Sequence, residues 1–220
     1  MVASQVNFTI MRRIAIRFAL VVLLPVTVLS VAMGCSKHEG VRGDSAELSA
    51  FAQQMLSEVN RVRTQPKEYA EVELKPLIKK GDQSKFQVAL QGCYKALLTT
   101  EARKPLALHD ALMLSAQWFA DDYVKTKKIG HIGSDGSDVS DRVKRYTKVF
   151  GSYVGENCQY GLTEARAVVR SLVIDVDDDA RGHRWNILHD KYTHMGVGFL
   201  KTKDVPYGSV VVQDFGWKHF

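Results

Sequence analysis

The sequence predicts an α+β domain in which helices and a sheet form separate layers. Three observations predict it. Apolar residues recur at spacings of three and four from Leu48 to Leu172. Alternation with a period of two is confined to the end of the chain, at Met195 to Leu200 and Ser209 to Trp217. A Pro206-Tyr207-Gly208 turn separates those two runs, which reads as a hairpin. Helices first and strands late describe a layered α+β sandwich, not a parallel doubly wound sheet. With 220 residues, 45% of them hydrophobic and 25% charged, the chain can bury one sizeable core.

The amino-terminal segment stands apart from that domain. Met11, Arg12, Arg13 and Arg17 form a positive region, and Phe18 to Met33 is an uncharged apolar run interrupted by Pro25. Residues 1–35 therefore read as a secretory signal, with a retained membrane span or uncleaved anchor the weaker reading because the run is short and interrupted by Pro25. Ala32-Met33-Gly34-Cys35 resembles a bacterial lipobox, which implies cleavage before Cys35 and lipidation of its thiol. Polar residues 36–45, with Gly40 and Gly43, read as a tether, and residues 46–220 as the domain.

Within the domain, Leu48, Phe51, Ala52, Met55, Leu56, Val59 and Val62 form one apolar helix face. Pro66 suits the first turn of a short helix over Lys67 to Glu73, and Pro76 stops it. Phe86, Leu90, Cys93, Tyr94 and Leu97 repeat the helical period and put Cys93 on a buried face. Leu106 and Leu108 precede a long helix opened by Asp110, with Leu112, Ala116, Phe119, Ala120 and Tyr123 inward. Its alanines predict close packing. Asp138 or Ser140 caps a short helix running through Arg145. Gly155 to Gly161, GENCQYG, reads as extended, and Thr163 caps a helix through Ile174. The final run alternates Val210, Val212 and Asp214 with Val211, Gln213 and Phe215.

Charge and cysteines bound the function. The formal net charge of +6 falls to +3 without the three arginines of residues 1–35, which leaves 27 basic against 24 acidic residues. A mixed surface without an aromatic-basic stripe gives no footprint for nucleic acid. With Cys35 lipidated, Cys93 and Cys158 remain. An exported pair can form a disulfide, or both can be buried free thiols.

Three glycine-flanked islands carry the chemistry: GHIGSDGSD at residues 130–138, GENCQYG at 155–161 and RGHRWNIL at 181–188. They contain His131, Glu156 and His183. Imidazole and carboxylate brought together bind a divalent ion or share protons. Asp175, Asp177 and Asp179 alternate as in a calcium loop, but Ala180 stands where the sharp turn needs glycine, so the run reads as a solvated acidic loop. Asn157, Arg184 and His109 read as structural, His189 and His194 as surface or supporting groups. Trp185 and Trp217 read as core or cleft-wall aromatics.

In order along the chain, NRVRTQPKEYA, PLALHDALMLSAQWFA, HIGSDGS, GEN and RGHRWNIL with HMGVGF resemble the CAP superfamily (cysteine-rich secretory proteins, antigen 5 and pathogenesis-related proteins) in its bacterial SCP-like form. The resemblance covers Leu48 to Trp217. It implies a three-layer α-β-α sandwich around a central antiparallel sheet. It also implies a cleft lined by two histidines and two acids, which in some members holds a divalent metal such as zinc. His131, Glu156 and His183 take three of those positions. The family's Trp-x-x-Glu is missing, and Asp175 resembles the acid of a bacterial subgroup with an Ile-Asp-Asp run there.

The expectation is an envelope protein anchored to the membrane by lipid, or a secreted one, whose cleft binds a divalent metal or a small ligand without turnover. The rivals are a hydrolase in which an ion or the His/Glu pair activates water, and a lipid- or sterol-binding protein, which requires an apolar groove.

Overall fold

A computed structural model describes residues 45–176 and 180–218, all within the unit Glu39–Phe220. The segment expected to be a signal, Cys35, nearly all of the expected tether and Asp177 to Asp179 lie outside the described residues. No helix among the described residues is long and apolar enough to cross a membrane.

Seven α-helices surround one sheet among the described residues. α1 (Ser45–Thr64) buries Phe51, Ala52, Met55, Val59 and Val62 of the predicted face. α2 (Pro66–Tyr69) starts on its proline and continues as a wider π turn, Ala70–Leu74, then a 3-10 turn, Lys75–Leu77. The π turn carries Glu73 inward, where Arg61 (3.1 Å) and Arg166 (2.8 Å) bind it. α3 (Lys85–Thr99) is capped by Ser84 and buries Cys93. α4 (Asp110–Thr126) is capped by His109, whose Nδ1 accepts from the Ala111 amide, so Asp110 is the first helical residue and not its cap. α5 (Val139–Lys144) has Asp138 as cap, in a reciprocal capping box with Asp141. α6 (Ala165–Ile174) starts after Glu164, and Thr163 contributes no cap. α7 (Gly182–Leu188) is absent from the periodicity because seven residues are too few to repeat an apolar face.

The strands are β1 (Ala107–Leu108), β2 (Val154–Tyr160), β3 (His194–Lys201) and β4 (Ser209–Gly216), in the order β1-β3-β4-β2. β2, β3 and β4 are antiparallel, but β1 adds a parallel edge to β3, so the sheet is mixed rather than wholly antiparallel. Two residues are enough to pair and too few to show alternation.

Helices cover both faces. Gly196 and Gly198 of β3 lie against the backbone of α4 at Leu112 and Ala116. A Cβ at either position would enter the space of those carbonyl groups. The predicted alanine face thus packs directly on a glycine-lined strand, with Val210 and Val212 beside it. On the opposite face, Met195, Val197, Val211 and Phe215 join α1, α3 and α6, and Phe199 stacks on Phe51 at 4.2 Å. The alternation predicted for β4 therefore holds on both faces.

Candidate functional site

β2 fixes the geometry of the site through its register. Glu156 is opposite Asp214, Cys158 opposite Val212 and Tyr160 opposite Val210. Period-two geometry sends Glu156, Cys158 and Tyr160 to one face and Asn157 and Gln159 to the other. The loop between α4 and α5 then lays His131 over the first set. His131 Nδ1 lies 2.8 Å from Glu156 Oε1, and its Nδ1–H donates to that oxygen. The Glu156 side chain is almost wholly buried, while that of His131 is 54% exposed, so the imidazole stands at the groove surface on a buried support.

Arg142 holds the other side of Glu156. Its guanidinium, fully buried, binds Glu156 Oε2 and donates to the His131 (3.1 Å) and Ser137 (2.8 Å) carbonyls. It also lies over the Phe119 ring at 4.1 Å. One arginine thus ties the carboxylate to the loop that carries the histidine. Among the described residues, Glu156 accepts from side chains rather than from backbone amides.

His183 forms a second dyad. Its Nδ1 is 2.7 Å from Asp175 Oδ1, and its backbone amide donates to Asp175 Oδ2 at 3.0 Å. Asp175 closes α6 in the left-handed region (φ 59°), a conformation that aspartate tolerates better than most residues. Its side chain is thereby aimed at the start of α7. Asn157 Nδ2 donates to the His183 carbonyl (3.1 Å), and Asn186 donates to the Glu156 carbonyl (3.1 Å) and Asn157 Oδ1 (2.8 Å). The two asparagines lock α7 to β2, which is the structural role expected of Asn157.

His131, Cys158, Asp175 and His183 all line one groove of about 800 Å³. Its walls are largely apolar, with Leu77, Phe86, Ile129, Leu162, Ile174 and Val176. His131, Glu156 and Cys158 form a possible metal-binding triad, their donor atoms all within 4.8 Å of one another. Two imidazoles, carboxylates and a thiol are a donor set that suits zinc.

Other expectations change. Cys93 and Cys158 are both free thiols. Cys93 packs with α1 and α6 and donates to the Val173 carbonyl, whereas Cys158 belongs to the α4 side, so the sheet separates them. Burial pushes both thiols up. Trp185 is 58% exposed and is neither core nor groove wall, while Trp217 is half-buried against the core. Arg184 donates to the Val173 carbonyl at 3.3 Å. His189 stacks on Tyr192, and His194 packs beside His109 and Phe150.

Three participants escaped the sequence reading: Arg142, Asp214 and the closeness of Cys158 to His131. Alternation in GENCQYG was the signal for Cys158, since it shares a strand face with Glu156. Nothing local marks Arg142, which looks like any cation in a last helical turn.

The sequence matches the cysteine-rich secretory protein (CAP) family over residues 56–215. No curated protein matches it. Among solved structures, an outer surface protein from Borrelia burgdorferi is similar at 19% identity, with 61% of this chain and 90% of that chain covered and a TM-score of 0.46. An extracellular protein containing a SCP domain from Bacillus anthracis str. Ames is similar at 20% identity, with 66% and 43% covered and a TM-score of 0.41. BmVAL-1 is similar at 12% identity, with 82% and 81% covered and a TM-score of 0.40. The family match runs from within α1 to the end of β4 and takes in every element that builds the groove; the chain belongs to the cysteine-rich secretory protein (CAP) family.

Proposed function

We propose that this CAP-domain protein is an exported binding protein, anchored at the cell envelope through a lipid on Cys35. In this reading its groove takes a divalent ion, zinc before others, or the polar end of a small ligand at His131 and His183, without turnover. One observation carries it: both imidazoles that line the groove are held at Nδ1 by a buried carboxylate. A histidine held that way presents Nε2 to an ion for as long as the carboxylate holds its Nδ1–H, and the carboxylate fixes its tautomer and raises its basicity. Glu156 and Asp175 then orient the ligands. Glu156 has both oxygens engaged, by His131 and by Arg142, which favours an orienting role over that of a base activating water.

The apolar walls favour a second reading, in which the ligand is amphipathic, as a lipid or sterol is. Its polar end would meet the histidines and its apolar body would lie along Leu77, Phe86 and Ile129.

Calorimetric titration with zinc tests the first reading. Binding should be lost in His131→Ala and in His183→Ala, with no hydrolysis of peptide, ester or glycan panels. Zinc binding that persists in both variants would reject the two-histidine site. Turnover abolished by Glu156→Gln would replace the binding protein with a hydrolase. Displacement of a fluorescent fatty acid from the groove reads out the second possibility. Cys35→Ser should release the protein from membranes, and retention would reject the lipid anchor.

A further inference from the structure

We infer that Cys158 gives the groove an inner position for a soft or borderline metal ion, held by Cys158 Sγ, His131 Nδ1 and Glu156 Oε1 and independent of His183.

The geometry comes from strand register. Glu156 and Cys158 are two residues apart on one face of β2, and His131 lies across both. Sγ is 3.8 Å from His131 Nδ1. A tetrahedral zinc with ordinary Zn–S and Zn–N bonds sets those donors about 3.6 Å apart. The widest separation in the triad, at most 4.8 Å, has to close by only about 1 Å to reach the same geometry. Sulfur and carboxylate thus converge on one ring nitrogen, and both His131 and Cys158 line the groove.

The surroundings accommodate a cation. Arg142 binds Oε2 and leaves Oε1 as the oxygen directed at the triad. Asp214, opposite Glu156 on the same face of the sheet, is fully buried.

The step balances simply. The neutral imidazole moves its proton from Nδ1 to Nε2, and the thiol releases one proton to solvent as the metal–sulfur bond forms. Thiolate selects zinc, copper(I) and their relatives over magnesium or calcium. Because the tautomer turns over, His131 then leaves the two-histidine arrangement. The inner site and the outer one compete for a single imidazole.

Titration of the full chain with Co²⁺, followed by absorbance, tests the inference. A thiolate-to-cobalt charge-transfer band should appear in the near ultraviolet. The band should vanish in Cys158→Ser and persist in Cys35→Ser, Cys93→Ser and His183→Ala. His131→Ala alters a half-exposed side chain and should also lose the band, which serves if Cys158→Ser does not fold. Bound Co²⁺ without the band, a band that survives Cys158→Ser, or no Co²⁺ bound at all would overturn the inference. The readings separate: cobalt bound without a thiolate band, and lost in both histidine variants, leaves the two-histidine site standing and removes this one.

Discussion

Arg142 and Glu156 form a fully desolvated ion pair beneath the groove, the guanidinium with no exposed side-chain surface and the carboxylate with 2%. The pair couples α5 to β2, and through the His131 carbonyl it fixes the loop that presents the imidazole. Removing one member strands the other charge. Arg142→Met should therefore destabilise the protein by about 3–5 kcal/mol, read from the denaturant midpoint at constant slope.

Close approach of β3 to α4 depends on hydrogen in place of a side chain. Gly198→Ala would drive a methyl into the Ala116 carbonyl, which belongs to rigid backbone. The expected cost is about 3 kcal/mol, an overpacking penalty at the upper end of the usual range. For a protein of this size that corresponds to a melting temperature lower by about 6–12 °C, measured by calorimetry.

Asp175 supports His183 through both oxygens. Asp175→Asn keeps the left-handed backbone at this position accessible and keeps a polar partner for the amide, but it removes the charged acceptor for the imidazole. The fold should survive, with zinc affinity falling about 10–100-fold by calorimetric titration. An unchanged affinity would remove Asp175 from the site.

The loop carrying His131 should loosen in acid. The Ser137 hydroxyl, then the Ser137 amide, with Arg145 adding its charge, hold the Asp135 carboxyl down at about 2. A depressed carboxylate contributes stability above its unfolded value of about 3.9. That contribution is lost as pH falls from about 4 through about 2. Protection of the Ser137 amide from hydrogen exchange, relative to its intrinsic rate at each pH, should fall over that window, and Asp135→Asn should remove that change in protection.

Both thiols should be free. Under non-reducing conditions Cys93 and Cys158 should resist alkylation in the folded protein, because both are buried, and both should label once it is unfolded. A pair that stays unlabelled after unfolding would restore the disulfide.

Much of the fold was legible in the sequence because burial is periodic. The inward faces of α1, α3 and α4 and the two faces of β4 follow from spacing alone, whatever packs on them. What spacing could not reveal were short or singular features. β1 has two residues and α7 seven, too few for a period, and His109 caps α4 through a ring nitrogen that sequence rules assign to oxygen side chains. His131, Glu156 and His183 were marked by their glycine-flanked motifs, and all three lie at or beside one groove.

By itself, the sequence determined the order of helices and strands, the residues facing the core and the family, all of which depend on local pattern. Only the tertiary structure decided which groups meet. The register of β2 against β4 set Glu156, Cys158 and Asp214 on one face, the sheet parted Cys93 from Cys158, and the α4–α5 loop brought His131 down onto Glu156. Those contacts join residues far apart in the chain. Their distances are fixed by packing and by hydrogen bonds between elements, which local spacing does not encode.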